Sequence, residues 1–466
     1  MKSIKMIPLA VMSGLFLAGC DSSTDDAPVN LDTPPLTPPV LAEVRVLHTS
    51  PDAPLVDIFA NGIGVDAMRN LDYQQASAVI GLVEGEYTFR VEAETPGGNV
   101  PVLSLTANLS NDTRYNVLAV GDVADLETLV VTSPKSDIPA GSFRVQVVHA
   151  APDAPEVDVY VTAPDADLTA AQPTATLSFG ASAGPLDVPA GDYQIRVTGA
   201  GATEALYDSG TLSLGAGADL FIAATENVAT GDSPVSLAVA DGQGSFVVLD
   251  DNATAELRAI HGIADAPAVD IFAVVPDADD ILLFDGPGFK AVSDYIEVAS
   301  GDYVVDVVAD ADNSVVAIDD AAITLMDGVR YSALANNTLA MADLDLLVDD
   351  GRPLATAAQV RIVHASPAAG DVDIYVTADG MIDDVDPTFG GVTYQTGALA
   401  ETGYVQLPAG DYMVTVTGAG SKEAAIGPVM ISLDVANIYT AIAVDGDAPM
   451  MPPQLILADA FIAPME

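Results

Sequence analysis

A single cysteine in 466 residues, Cys20, excludes a disulfide framework, so any folded domain after it is held by packing and hydrogen bonds alone. Tryptophan is absent and aromatic residues make up only 6%, which argues against a dedicated platform for stacking sugars. Positive charge is scarce: 15 Lys and Arg stand against 67 Asp and Glu, a formal net charge of -52. Such a chain repels nucleic acid and anionic headgroups, so no nucleic-acid partner is expected. The acidity serves solubility, and its other use is loose binding of Ca²⁺ by clustered carboxylates; weak Ca²⁺ binding is the one cofactor expectation. Long apolar runs are missing, and none beyond the first twenty residues approaches the roughly 20 that a membrane-spanning helix needs. His-Glu-x-x-His, phosphate-cradling glycine loops and Cys-x-x-Cys pairs do not occur. Hydrophobic residues nevertheless reach 50%, so the chain buries cores rather than forming an acidic disordered tail.

What is present begins with a targeting segment. Lys2 and Lys5 precede an apolar stretch from Met6 to Leu17, which closes on Leu17-Ala18-Gly19-Cys20. Small residues directly before a cysteine resemble the lipobox of bacterial lipoproteins, which implies cleavage after Gly19 and a lipid on Cys20. The expectation is a signal peptide over 1–19. Over 20–41 it is a lipidated cysteine and a Pro- and Asp-rich tether with too little to bury to fold. Two or three acyl chains hold a protein on a membrane without spanning it. Membrane contact is therefore expected through the lipid only, in the cell envelope. The outer membrane (periplasmic or surface face) is favoured over the inner, although Asp21 resembles a retention signal of some enteric bacteria.

The four histidines locate an internal repeat. Each opens one phrase, as in His48-Thr-Ser-Pro-Asp52-Ala-Pro-Leu-Val-Asp57 and His149-Ala-Ala-Pro-Asp153-Ala-Pro-Glu-Val-Asp158. The third runs from His261 through Asp265 to Asp270; the fourth runs from His364 to Asp373, with Ala368 in place of the loop Asp. His to the second Asp is nine residues every time, and the histidines recur after 101, 112 and 103 residues, the size of a small domain. About forty residues on, Gly-Asp/Glu-Tyr opens an alternating strand at Tyr87, Tyr193, Tyr303 and Tyr412. Alternation puts Tyr87, Phe89 and Val91 on one face of a half-buried antiparallel strand. No stretch carries a 3.6-residue apolar stripe. The fold class expected is all-β: four tandem β-sandwiches (Ig-like or transthyretin-like) over 42–135, 142–242, 254–350 and 357–460. Copies two and four share Val-Thr-Gly-Ala-Gly after the central strand, at Val197 and Val416, whereas copies one and three share Val-Asp-Ile-Phe-Ala. A two-domain unit is thus expected to have duplicated.

The His-x-Ser-Pro-Asp-Ala-Pro-x-Val-Asp phrase and the later Gly-Asp-Tyr strand start resemble the bacterial and archaeal domain of unknown function 4397. The resemblance implies an extracytoplasmic β-sandwich, often in tandem, and implies no activity. Ala264, Ala368 and Gly370 depart from the pattern.

The candidate site residues are those of the phrase. His48, on the same face as Val44 and Val46, is core-facing at a strand end, over a Pro-rich loop whose backbone groups need partners. A hydrogen bond from each His to its loop, with Asp52, Asp153 or Asp265, is the structural expectation; one His and one or two carboxylates make a thin zinc site. Asp57, Asp158, Asp270 and Asp373 are expected to fix the Pro loop, with a calcium site as the alternative. Tyr87, Tyr193, Tyr303 and Tyr412 are expected to pack and turn corners. Ser182 lies in a Gly-x-Ser-x-Gly string that acts only on a strand–turn–helix, so it is expected to be incidental. Asp310-Ala-Asp312 begins like a calcium loop but lacks its later Gly and Glu. All four copies keep the His and the second Asp, which fits fold maintenance or avidity through repeated weak contacts. The expectation is an envelope lipoprotein with four sandwiches in a row. Its role is structural or adhesive, without catalysis, toward an envelope protein or polysaccharide. The alternative is a Ca²⁺-dependent binder or sensor, or an envelope hydrolase, using the His–Asp loops.

Overall fold

Short alternating strands separated by Gly, Asn and Asp turns build the chain into eight small sheets, paired face to face as four β-sandwiches. The computed structural model describes residues 40–276, 278–395, 399–447 and 451–460. Cys20, the signal peptide and the tether up to residue 39 lie outside the described residues. In the first sandwich, Ala42–Thr49 pairs antiparallel with Ile80–Leu82 and parallel with Thr113–Val120, and Glu127–Pro134 closes that sheet. The facing sheet runs Ile63–Gly64, Val56–Ala60, Gly85–Thr95, Gly98–Leu109, antiparallel throughout. The parallel pairing recurs for Ser142–His149 with Asp219–Glu226, Ala255–His261 with Arg330–Asn336, and Ala358–Ala365 with Ile438–Val444. It sets the end of the late strand beside the loop that follows each histidine. The glycine of the Gly-Asp/Glu-Tyr landmark has its reason too: Gly85, Gly301 and Gly410 sit at φ of +145°, +149° and +154°, which a side chain disfavours.

The four tandem sandwiches are also joined in pairs by two shared cores. Leu47, Leu118, Val148, Phe221 and Ala238 close one between the first and second sandwiches. Ile260, Leu334, Val363, Ile442 and Ile456 close another between the third and fourth. The positions correspond: Leu47 and Ile260 each precede their histidine, as do Val148 and Val363. The duplicated two-domain unit therefore carries its seam with it. The first strand of each sandwich is buried on both faces, one in its own core and one in the seam.

Both seams hold a buried arginine at the same position. Arg45 places Nε and Nη2 on Asn116 Oδ1 at 3.0 and 2.8 Å and Nη1 on the Ala240 carbonyl at 3.0 Å, over the Phe221 ring. No carboxylate faces it across the hydrogen bonds, and burial depresses its pKa to about 10. Arg258 sits at the matching place, and the position of Gln146 is taken by Arg361. Both guanidiniums converge on Asp349, Arg361 through a direct hydrogen bond and Arg258 at 3.6 Å; Arg258 also donates to Asp459 at 2.7 Å. The linker after the third sandwich reaches back to the first. Arg352 donates to the Pro51 and Ala53 carbonyls and to Asp72, and the Ala355 N–H bonds the Asp52 carbonyl at 2.8 Å.

Candidate functional site

Each His-loop is a closed local circuit. The ring is 1% exposed in all four copies. Nε2 meets a carbonyl six residues on: Pro54 at 3.0 Å, Pro155 at 3.0 Å, Pro267 at 2.9 Å and Gly370 at 2.7 Å. Nδ1 accepts the N–H two residues on, from Ser50, Ala151, Ile263 and Ser366, at 3.2 to 3.4 Å. A carbonyl on one nitrogen and an N–H on the other fix the neutral Nε2–H tautomer. The bond to the loop thus goes to backbone groups, not to Asp52, Asp153 or Asp265. Burial pushes His48 down to about 4 and lowers His261 as well.

An aromatic ring stands edge-on to each imidazole: Tyr73, Phe179, Phe289 and Tyr394, with centroids 6.1 to 6.4 Å apart. Sequence reasoning missed these residues. They follow their histidines at 25, 30, 28 and 30 residues, so no fixed spacing marks them. Two of them also tie the seams, Tyr73 donating to the Glu226 carbonyl and Tyr394 to Asn336.

The loop acids cap the neighbouring late strand. Asp52 accepts the Val123 N–H and Asp265 the Leu339 N–H, both at 2.8 Å, at the start of short 3₁₀ turns. In the fourth copy the polarity reverses: Asp445 accepts the Ala368 N–H at 3.1 Å and the Ser366 hydroxyl at 2.5 Å. Asp445 therefore covers for the loop Asp that the fourth copy has lost. Where the first and second loops meet, burial and the mutual proximity of Asp52, Asp122, Asp153 and Glu226 raise the pKa of Glu226 and Asp122.

The second acids do not touch the Pro loop, which corrects that expectation. They bond the edge strand or the loop after it, in three copies together with the turn of the central hairpin. Asp57 accepts from Asn70 N–H at 3.0 Å and Asn99 at 3.3 Å; Asp158 accepts from Thr176 and the Gly201 N–H; Asp373 accepts from the Gly391 and Gly420 N–H groups. Gly201 and Gly420 belong to the Gly-Ala-Gly turns of copies two and four, at φ +74°. Asp270 accepts from Gly286 N–H at 2.9 Å, and instead of a hairpin donor it faces Asp285 and Asp310, whose oxygens lie within 4.8 Å of one another and of its own. Three oxygens so placed are the donor type that a hard cation takes. In the absence of divalent cations, Asp310→Asn is expected to raise the stability of the full chain. Relief of like-charge repulsion amounts to up to about 1 kcal/mol at this separation. Thermal unfolding in EDTA checks it, and an unchanged or lower midpoint would show that the triad is not strained.

The corner tyrosines bond back four residues: Tyr193 to Pro189, Tyr303 to Ala299 and Tyr412 to Pro408, at 2.7 to 2.9 Å, while Tyr87 stacks on Phe89. Ser182 opens the exposed edge strand Ser182–Pro189, and no α-helix stands behind it among the described residues. Asp312 holds a tight turn through Ser314.

A family described as a domain of unknown function (DUF4397) matches residues 42–160 and 255–375. Each match begins at the first strand of one sandwich and ends just after the His–Asp phrase of the next. No curated protein matches the chain. Among solved structures, the Bacillus anthracis TIE protein is 12% identical over 87% of this chain and 68% of its own, with a TM-score of 0.17. The product complex of a multi-modular glycogen-degrading pneumococcal virulence factor, SpuA, is 11% identical over 59% of this chain and 37% of its own, with a TM-score of 0.15.

Proposed function

The chain belongs to the DUF4397 family, and from that premise we propose a lipid-anchored protein of the cell envelope, built from four copies of the family's sandwich, that binds or scaffolds without catalysis. The observation that carries this is the closure of all four His-loops. Both nitrogens of each imidazole are engaged by their own backbone, and each ring is buried. A general base or a metal ligand needs a lone pair that reaches substrate or ion. Four such rings instead give four rigid loop ends, the usual place for recognition on a sandwich scaffold. The partners that fit are an envelope protein or a polysaccharide, met by a membrane-tethered body with a strongly acidic surface. The anchor is Cys20, at the outer membrane ahead of the inner.

Fractionation and capture test this together. Cys20→Ser is expected to move the protein from the membrane to the soluble fraction, and the wild-type chain is expected to retain a partner from envelope extract. Membrane association that survives Cys20→Ser overturns the anchor. A hydrolase activity lost in a folded His149→Ala chain overturns the non-catalytic reading.

A further inference from the structure

One position on the outer sheet is covered by a cation in the first and fourth sandwiches and not in the third. In the first sandwich the position is Phe59, two residues after Asp57. The guanidinium carbon of Arg90 lies 4.9 Å from its ring centre and that of Arg69 at 5.6 Å, and Arg69 also approaches Asp57 at 3.6 Å. In the second it is Tyr160, with Arg196 directly across the ladder. In the fourth it is Tyr375, with the Lys422 ammonium 4.4 Å from the ring centre. A cation over an aromatic face is thus what this surface takes.

In the third sandwich the aromatic is kept as Phe272 and the acid as Asp270, but the residue across the ladder, matching Arg90, is Asp306. Asp306 gathers Asp319 and Asp320, with carboxylate oxygens within 4.8 Å of one another. The Asp320 N–H bonds Asp306 at 2.8 Å, and no Lys or Arg pairs with the three. Among the described residues no cation lies over Phe272, and every Lys and Arg is held at another contact. Around the half-buried ring the same face leaves Leu282 46%, Val304 36% and Val316 47% exposed. These residues make an apolar strip beside the acidic cluster.

We propose that this face docks a partner polypeptide by a Lys or Arg side chain laid on Phe272 against Asp306, Asp319 and Asp320, with flanking apolar residues on Leu282 and Val316. The proposal rests on the binding role above and names the chemistry of the partner. A peptide is favoured over a free organic cation because the apolar strip extends along the sheet on both sides of the ring, further than one ammonium group reaches. The equivalent intramolecular contacts in the first and fourth sandwiches are themselves made by polypeptide side chains.

The absence of tryptophan supplies the assay. Phe272→Trp places a sole indole at the site in the full chain, titrated with acetyl-Leu-Arg-Val-Arg-Leu-amide. A saturable emission change is expected, weakening with salt and absent for the counterpart with glutamine at both arginine positions. Asp306→Arg, which rebuilds the cap of the first sandwich, is expected to weaken binding roughly tenfold. Phe59→Trp, already covered, is expected to be silent. Calorimetry on the unsubstituted chain gives the same result without the reporter. No saturation in either experiment, an unchanged affinity in Asp306→Arg, or an equal response to choline or calcium chloride overturns the proposal. Failure of the peptide while envelope extract still yields a partner removes this face alone; failure of both removes the binding role.

Discussion

Asp349→Ala is expected to destabilise the paired third and fourth sandwiches by about 3–5 kcal/mol, the usual cost of removing one member of a buried ion network. Asp349 is 7% exposed, and its two oxygens serve Arg361, the Tyr295 hydroxyl at 2.7 Å and the Ser332 hydroxyl at 2.5 Å, with Arg258 alongside. Its loss leaves the buried guanidiniums of Arg258 and Arg361 with Asp459 and the more distant Glu401 as their acidic neighbours. Stacking on Tyr295 and Tyr404, at 4.6 and 4.7 Å, does not replace a carboxylate. The first seam gives the contrast. Arg45 has no carboxylate to orphan; Arg45→Met leaves only the neutral acceptors Asn116 Oδ1 and the Ala240 carbonyl without their donor, so it is expected to cost about 1–3 kcal/mol, less than the loss of Asp349. Denaturant unfolding followed by tyrosine emission separates the two. Equal losses in both variants would mean that the seams are held by apolar packing alone and that the ion network is incidental.

That contrast also marks what the amino-acid sequence makes legible. The strands at the His phrase and at Gly-Asp-Tyr are readable because period-two alternation is a local property, and the core-facing side of His48 follows from it. The seams follow from no local rule. In Val44-Arg45-Val46-Leu47-His48, alternation assigns Arg45 and Leu47 to a solvent face, yet both are buried against the second sandwich. A signal was present: an apolar residue directly before every histidine interrupts the otherwise polar face of the strand, a mark of burial on that side too. The site divides in the same way. The closed His-loop follows from a core-facing ring over a proline loop, but its acceptor is a backbone carbonyl, which no side-chain pattern records. The aromatic partners sit on loops of unequal length, and the swap of Asp52 for Asp445 exchanges donor and acceptor across a parallel pairing of strands 71 and 79 residues apart in the chain. Such complementarity is visible only once the strands are aligned.

The histidine circuit makes a prediction in pH as well as in sequence. His48→Ala removes a buried ring and leaves the Pro54 carbonyl and Ser50 N–H unpartnered, at an expected cost of about 2–4 kcal/mol. His48→Gln is the more telling variant, because an amide does not titrate. The folded chain holds His48 at about 4, below the ordinary value of 6.5, because burial penalises the imidazolium and the fixed tautomer has no site for a second proton. The unfolded chain therefore binds a proton first as pH falls. The contribution of His48 is complete above pH 6.5 and is lost progressively toward pH 4, by up to about 3 kcal/mol. Glu226 and Asp122, with raised pKa values, act in the opposite sense and gain stability as they protonate, so the profile of the wild-type chain mixes the two. The difference between wild-type and His48→Gln stabilities, measured from pH 8 to 4, cancels the carboxylates. It is expected to be flat above pH 6.5 and to narrow below it. Parallel profiles for the two chains would mean that the His48 ring takes up its proton in the folded state as readily as in the unfolded one, and that the closed loop is open to water.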